Sequence, residues 1–280
     1  MSRVDAHHHL WDTGAREYPW MDGPWADPLR GVFDEARYTA EARPHGVDAA
    51  VVVQALADVA ETRELLELTT RSELVRAVVG WVPLDAPGVV DVLAELMGGA
   101  GGKNLAGVRH LVQDEPDPAW LERPETRRGL AAVAEAGLAY DLLVKPPQYE
   151  AALRTARDLP GVQFVLDHLG KPGIAAGMWE PWAAWIADLA ALPNVTAKVS
   201  GLVTEADWNT PDPARVTPYV RHALDVFGPE RLMFGSDWPV CTLAVPYGGA
   251  VETTDLALAG LSDAERESVL SGTARRVYRL

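Results

Sequence analysis

Eight short apolar runs, spaced along the whole chain and separated by amphipathic stretches, constrain this sequence more than any other feature. They are "RVDAHHHL" (3–10), "DAAVVVQA" (48–55), "LVRAVVGWVPL" (74–84), "LAGVRH" (105–110), "LAYDLLV" (138–144), "VQFVLDHL" (162–169), "VTAKVSGL" (195–202) and "RLMFGSDWPV" (231–240). Several are nearly continuous in apolar residues, as strands covered on both faces must be. The intervening stretches carry helical spacing. "ETRELLELTTRSE" (61–73) sets Leu65, Leu66 and Leu68 on one stripe, and "TRRGLAAVAEAG" (126–137) ends at Gly137, a residue suited to a helix C-terminus. "PWAAWIADLAALPN" (181–194) puts Pro181 in a first helical turn and stops at Pro193. Eight strands alternating with helices through right-handed crossovers predict a (β/α)8 TIM barrel, with residues 1–280 as one domain.

The first connection, 11–47, is long, and "WDTGAREYPWMDGPWADPL" reads as an irregular loop. A loop leaving the first barrel strand hangs over the face where barrels bind substrates, so a lid is expected there. A formal net charge of −15 argues against binding a phosphate backbone. The single cysteine, Cys241, excludes an intrachain disulfide and a cysteine-based zinc site. No apolar run reaches the ~18 residues of a membrane span, and the N-terminus lacks a signal-peptide pattern. A cytoplasmic protein with no nucleic-acid or membrane partner is expected; the oligomeric state stays open, a homodimer being one arrangement.

"DAHHHLWD" (5–12) places three histidines in a strand. Alternation puts His7 and His9 on one face and turns His8 to the other. "VLDHLGKP" sets His168 at the end of the sixth run, and "MFGSDWPV" sets Asp237 at the end of the eighth. Strand ends are where a barrel presents its chemistry. Singly, His168 could be a structural histidine and Asp237 a turn residue. Together, His7, His9, His168 and Asp237 form a nitrogen and oxygen ligand set suited to one divalent cation such as Zn or Mn.

These residues, with "GVRH" (107–110), "DHLGKP" (167–172), "NVTAKVSGLVTEADW" (194–208) and "RLMFGSDWPVC" (231–241), give the chain a resemblance to the amidohydrolase superfamily over essentially its whole length. Within it, the chain is most similar to the sugar-lactonase branch, of the L-fuconolactonase and L-rhamnonolactonase type. The resemblance implies a carboxylic-ester hydrolase of carbohydrate metabolism that opens an aldonolactone to the free acid. His7 and His9 correspond to the first-strand pair, His168 to the later histidine and Asp237 to the last-strand acid. Superfamily members with two metals use a lysine on strand 4 and a histidine on strand 5. Here strand 4 ends in Arg109-His110 and strand 5 has no histidine, so at most one ion is implied, and branch members differ in needing it.

Lactone opening needs an activated water, a polarised carbonyl and a protonated leaving oxygen. Asp237 suits the first and last of these. A cation on the histidines, or the histidines with Arg109 as hydrogen-bond donors, would serve the second. Arg109 also suits a carboxylate by bidentate pairing. Ten tryptophans against four phenylalanines suggest indole platforms for sugar. Trp11, Trp81 and Trp238 follow strand ends and are candidate substrate contacts with Arg109, His110 and Lys145, while Trp20 and Trp25 would line the lid. Trp179, Trp182 and Trp185 read as packing, and Lys171 and Lys198 are further cations within reach of a site. The alternatives are a decarboxylase of the same superfamily, which would need a firmly held metal and a carboxylate clamp, and a lactonase acting on a carboxylated aromatic-degradation intermediate.

Overall fold

The computed structural model describes residues 2–280. Its centre is an eight-stranded, all-parallel sheet in sequential order. The strands are β1 (Arg3–His8), β2 (Val47–Val53), β3 (Val75–Gly80), β4 (Leu105–His110), β5 (Ala139–Leu142), β6 (Gln163–Leu166), β7 (Val195–Val199) and β8 (Leu232–Phe234). Each sits in one of the eight apolar runs, β2 beginning one residue before its run. Helices follow the strands, and the barrel closes where Asp237 N–H bonds the His7 carbonyl (2.8 Å) and His9 N–H bonds the Trp238 carbonyl (2.7 Å). The seam therefore lies among the candidate site residues.

Alternation along the strands sorts two cores. Val51, Val53, Ala77, Val79, Ala139, Val165 and Met233 fill the barrel with small side chains, joined by Ala274 and Tyr278 of the C-terminal helix. Ala50, Val52, Val78, Tyr140, Leu142, Phe164 and Leu166 face the surrounding helices. The helix Pro124–Glu135 stops as its sequence suggests. Gly137 adopts φ +71°, while its N–H and that of Leu138 bond the carbonyls of Ala134 and Val133. Pro181 is not inside a first turn: it precedes the helix Trp182–Ala190 as its N-cap. No helix among the described residues is long and apolar enough to cross a membrane.

The first connection is more ordered than expected of an irregular loop. Trp11–Asp12 pairs antiparallel with Val32–Phe33, two short 3-10 helices lie between, and the helix Glu35–Ala42 follows. Asp34 caps that helix by accepting from the Arg37 N–H at 2.9 Å.

Candidate active site

The site is built on two irregular chain segments and one irregular strand. His168, Leu169, Lys171 and Asp237 hold left-handed backbone (φ 49–58°), where side chains are rarely tolerated. These turns carry His168 and Asp237 off the ends of β6 and β8 and back over the barrel axis. In β1 the pairing with β2 slips by one residue between Asp5 and His8. Val4 and Ala6 belong to the inner core, yet His7 and His9 also face the interior. His8 turns outward and stacks on Tyr38, with centroids 3.8 Å apart and planes at 6°. Beneath it Asp5 accepts from Tyr38 Oη (2.9 Å), Tyr247 Oη (3.0 Å), Ser236 Oγ (2.6 Å) and Ser236 N–H (2.9 Å), locking β1 to the segment that bears Asp237.

The four residues meet. His7 Nε2 lies 3.2 Å from His9 Nε2 and 3.7 Å from Asp237 Oδ1. Asp237 Oδ1 lies 3.5 Å from His9 Nε2 and 4.0 Å from His168 Nε2. His168 Nδ1 pairs with Ser200 Oγ at 2.9 Å. Gly201 makes this convergence feasible: it has φ +62°, and a Cβ there would lie 2.4 Å from His168 Nδ1 and 3.0 Å from Asp237 Oδ2. Burial alone would raise the Asp237 pKa, but the charges around it, that of His168 foremost, outweigh it and hold the carboxyl below its ordinary value. Burial pushes His168 down to about 4, and it takes His7 well below its ordinary value despite the opposing pull of Asp167.

Beneath this cluster lies a buried polar floor. Lys198 Nζ contacts Asp141, Asp167 Oδ1 (3.0 Å) and His7 Nδ1 (3.1 Å). Arg109 spans Asp167 Oδ2 (3.1 Å), the Gln54 carbonyl (2.6 Å) and Gln54 Oε1 (2.8 Å). Tyr278 Oη donates to Asp141 from below at 2.9 Å. Lys198 lies within its strand as read from the sequence, but its hydrogens are held by Asp141, Asp167 and His7 beneath the cluster rather than offered to substrate. Burial raises Asp141 to about 6, opposed by Lys198, whereas Asp167 lies well below its ordinary value because Lys198, His7 and Arg109 outweigh its burial.

Above the cluster opens a cavity of about 970 Å³. Its floor carries His9, Arg109, His168 and Asp237, and its rim carries Trp20, Trp25, Lys145, Lys171, Glu205 and Trp208. Trp25 and Trp208 approach to 6.4 Å between ring centroids, joining the first connection to the segment after β7. Trp208 was not singled out in the sequence; only the "TEADW" stretch pointed to it.

Four expected substrate contacts do not line the cavity. Trp11 is buried under the lid, its indole N–H on the Leu29 carbonyl at 2.9 Å. Trp238 is buried between Phe33 and Tyr38. His110 stacks on Trp120 (4.2 Å), bonds Glu115 through Nε2 (2.7 Å) and receives the Trp81 indole N–H on Nδ1 (3.0 Å). The reason is alternation: Arg109 faces inward, so its neighbour His110 turns to the helix layer and takes Trp81 with it. Cys241 is buried, as expected of an inert thiol.

The spacing of the donor atoms, 3.2–4.0 Å between neighbours, suits ligands around one divalent cation with bonds of roughly 2 Å. The His7, His168 and Asp237 donors all lie within 4.8 Å of one another. The His9 ring reinforces the fit, since its Nδ1 is committed to the Val53 carbonyl at 2.8 Å and its Nε2 points at Asp237.

Comparison with known proteins places the chain in a family. The amidohydrolase family model matches residues 4–280. The L-fucono-1,5-lactonase of Burkholderia multivorans is 38% identical, over 99% of this chain and 96% of that one. The L-fucono-1,5-lactonase of Burkholderia ambifaria is 40% identical, over 88% and 83%. A crystal structure of a Burkholderia multivorans amidohydrolase with bound zinc superposes with a TM-score of 0.92 at 37% identity, covering both chains fully. A match of this extent settles the family: this chain belongs to the amidohydrolases.

Proposed function

We propose that this protein is a lactonase that hydrolyses a neutral sugar lactone of the L-fucono- or L-rhamnono- type to its aldonic acid. Its relatives named as L-fucono-1,5-lactonases support the reaction class. The observation that carries the substrate class is the charge balance of the cavity. Its three lining cations already have partners: Arg109 has Asp167 (3.1 Å), Lys171 has Glu205 (3.5 Å) and Lys145 has Asp114 (3.9 Å). Against them stand five lining carboxylates: Glu17, Asp58, Asp114, Glu205 and Asp237. With no metal ion bound, a dicarboxylate or an aromatic acid would enter this cavity against net negative charge, and the least firmly held of the three cations, Lys145, stands at the rim. A polyhydroxylated ring finds acceptors for its hydroxyls and indole faces for its C–H surface. The same balance opposes both a decarboxylase and a lactonase for carboxylated intermediates.

Asp237 is the base and then the acid of the reaction. Its carboxylate takes a proton from a water above it, the water oxygen attacks the lactone carbonyl, and the proton passes to the ring oxygen as the acyl–oxygen bond breaks. His168 flanks the same space as a hydrogen-bond donor to the developing oxyanion, while Arg109 points its hydrogens at Gln54, Asp167 and His7. The neutral state of His168 near pH 7 keeps it a donor that does not compete with Asp237 for the proton. Where a divalent cation such as zinc or manganese is bound, His7, His9, His168 and Asp237 would hold it, and it would supply carbonyl polarisation and a more acidic water.

The test is acid release from a panel of lactones, with wild type and Asp237→Asn side by side. Hydrolysis of neutral aldonolactones, abolished in Asp237→Asn, is the expected result. Turnover confined to carboxylated lactones, or none from any lactone, would overturn the reading.

A further inference from the structure

The hydrogen positions in the histidine pair follow from its neighbours. The Val53 carbonyl can only accept, so the 2.8 Å contact with His9 Nδ1 puts a hydrogen on that nitrogen and leaves His9 Nε2 bare. At the other end, the Lys198 ammonium sits between the Asp141 and Asp167 carboxylates, and its 3.1 Å contact with His7 Nδ1 can only be a donation. A neutral His7 must then carry its hydrogen on Nε2. That nitrogen faces the bare Nε2 of His9 at 3.2 Å, so donor meets acceptor. The line runs from Lys198 through His7 and His9 to Val53, and the one donor set against it is the Arg109 Nη1–H, at the longer distance of 3.4 Å from His7 Nε2.

The opposite tautomer has a partner too. His7 Nδ1 lies 3.3 Å from Asp167 Oδ1, a buried oxygen with no well-aligned hydrogen bond of its own. Arg109 Nη1 approaches His7 Nε2 at 3.4 Å, the longer of its two contacts here, with Asp167 Oδ2 at 3.1 Å. With the hydrogen on Nδ1, however, the His7 and Lys198 hydrogens would oppose each other. Two bare nitrogens 3.2 Å apart would also face Asp237 Oδ1, lone pairs that the Arg109 Nη1–H at 3.4 Å relieves on His7 alone and that a cation would relieve on all three atoms.

We propose that Lys198 is a positioning residue that sets the tautomer of His7, and through it decides whether the histidine pair is hydrogen-bonded to itself or open to a divalent cation. With Lys198 in place the His9 lone pair is occupied by the His7 hydrogen, so a cation has to displace that bond before it can use both rings. Without Lys198, His7 turns its hydrogen to Asp167 and both Nε2 atoms become free ligands. This rests on the proposed site only for its consequence in catalysis; the readout needs no turnover, so failure of the lactone reading would leave it standing.

The experiment is a long-range proton–nitrogen correlation spectrum of metal-free protein labelled with nitrogen-15 at histidine. His7 and His9 are assigned by His7→Gln and His9→Gln. The expected spectrum has the hydrogen of His7 on Nε2 and that of His9 on Nδ1. A hydrogen on His7 Nδ1 in the wild type would overturn the proposal whatever any variant does. Lys198→Met should move the His7 hydrogen to Nδ1 and tighten zinc binding, measured by calorimetry, by up to about tenfold, the worth of the one hydrogen bond a cation no longer has to displace. Lys198→Arg, which keeps the donors, should leave the tautomer as it is. A Lys198→Met protein with the His7 hydrogen still on Nε2, or with unchanged zinc affinity, would contradict the role given to Lys198.

Discussion

The floor of the cavity and its rim are built on opposite principles. Directly beneath the floor and supporting it, His7, Asp141, Asp167 and Lys198 have no exposure at all and hold one another through ion pairs. At the rim, Trp25 and Trp208 are 42% and 37% exposed, and Lys145 meets Asp114 at 3.9 Å. Removing one partner from a buried ionic cluster leaves an uncompensated charge, which is strongly destabilising. A surface pair such as Lys145–Asp114 contributes about 1 kcal/mol or less. A floor of this kind can hold atoms in place for chemistry, and a rim of this kind can change with the shape of the substrate.

That contrast yields graded expectations. The largest effect is at Asp237: Asp237→Asn should lower kcat by about 10³-fold or more, the range of a lost general acid–base group, as read by acid release. Next come two neighbouring histidines with opposite orientations. His9→Ala should lose activity by about 10²-fold or more. His8→Ala should keep its activity but lose stability by about 2–3 kcal/mol in urea unfolding, because it empties a packed site against Tyr38. Equal activity losses in both would remove the orientation argument. Gly201→Ala should cost about 10²-fold in kcat, since its Cβ displaces His168 and small misplacements are this expensive.

A further expected effect, on stability alone, concerns a buried acid behind the rim. Glu61 accepts the N–H groups of Ala55 and Leu56 (both 2.9 Å), and the Ala55 carbonyl receives the Trp20 indole N–H (2.9 Å). Burial raises Glu61 to about 7, against the two backbone hydrogen bonds and Arg16 and Arg109. The folded protein therefore keeps a proton that the unfolded chain gives up near pH 4.5. Stability from this group is complete below that pH, falls as pH rises to 7 and stays low above it. Glu61→Gln removes the titration. Its stability relative to wild type should rise by at most about 3 kcal/mol between pH 4.5 and 8, and a pH-independent difference would contradict the assignment.

Much of the floor was legible before any coordinates. Continuous apolar runs announced the strands, and the titratable residues that close them, His168 and Asp237, stood out because a strand end is a special place in a barrel. Simple alternation separated His8 from His7 and His9. It could not foresee the slip in β1, which lets Ala6 and His7 both face inward, because a bulge leaves no residue-type signature here. The role of Lys198 was hidden for another reason. A lysine inside a strand reads as a cation seeking substrate, and only the three-dimensional neighbourhood shows two carboxylates and an imidazole already using its hydrogens. The rim was read least well. Trp11, Trp81, His110 and Trp238 are near strand ends in sequence yet turn into packing, while Trp208 lies beyond its strand and reaches back over the cavity.

The division of labour between floor and rim is tested most directly by kcat and KM for Asp237→Asn and Trp208→Ala on one aldonolactone. The account predicts that Asp237→Asn collapses kcat with KM nearly unchanged. It predicts that Trp208→Ala raises KM about fivefold, the loss of one aromatic contact worth about 1 kcal/mol, with kcat nearly unchanged. A Trp208→Ala enzyme that loses kcat, or an Asp237→Asn enzyme that keeps it, would contradict the account.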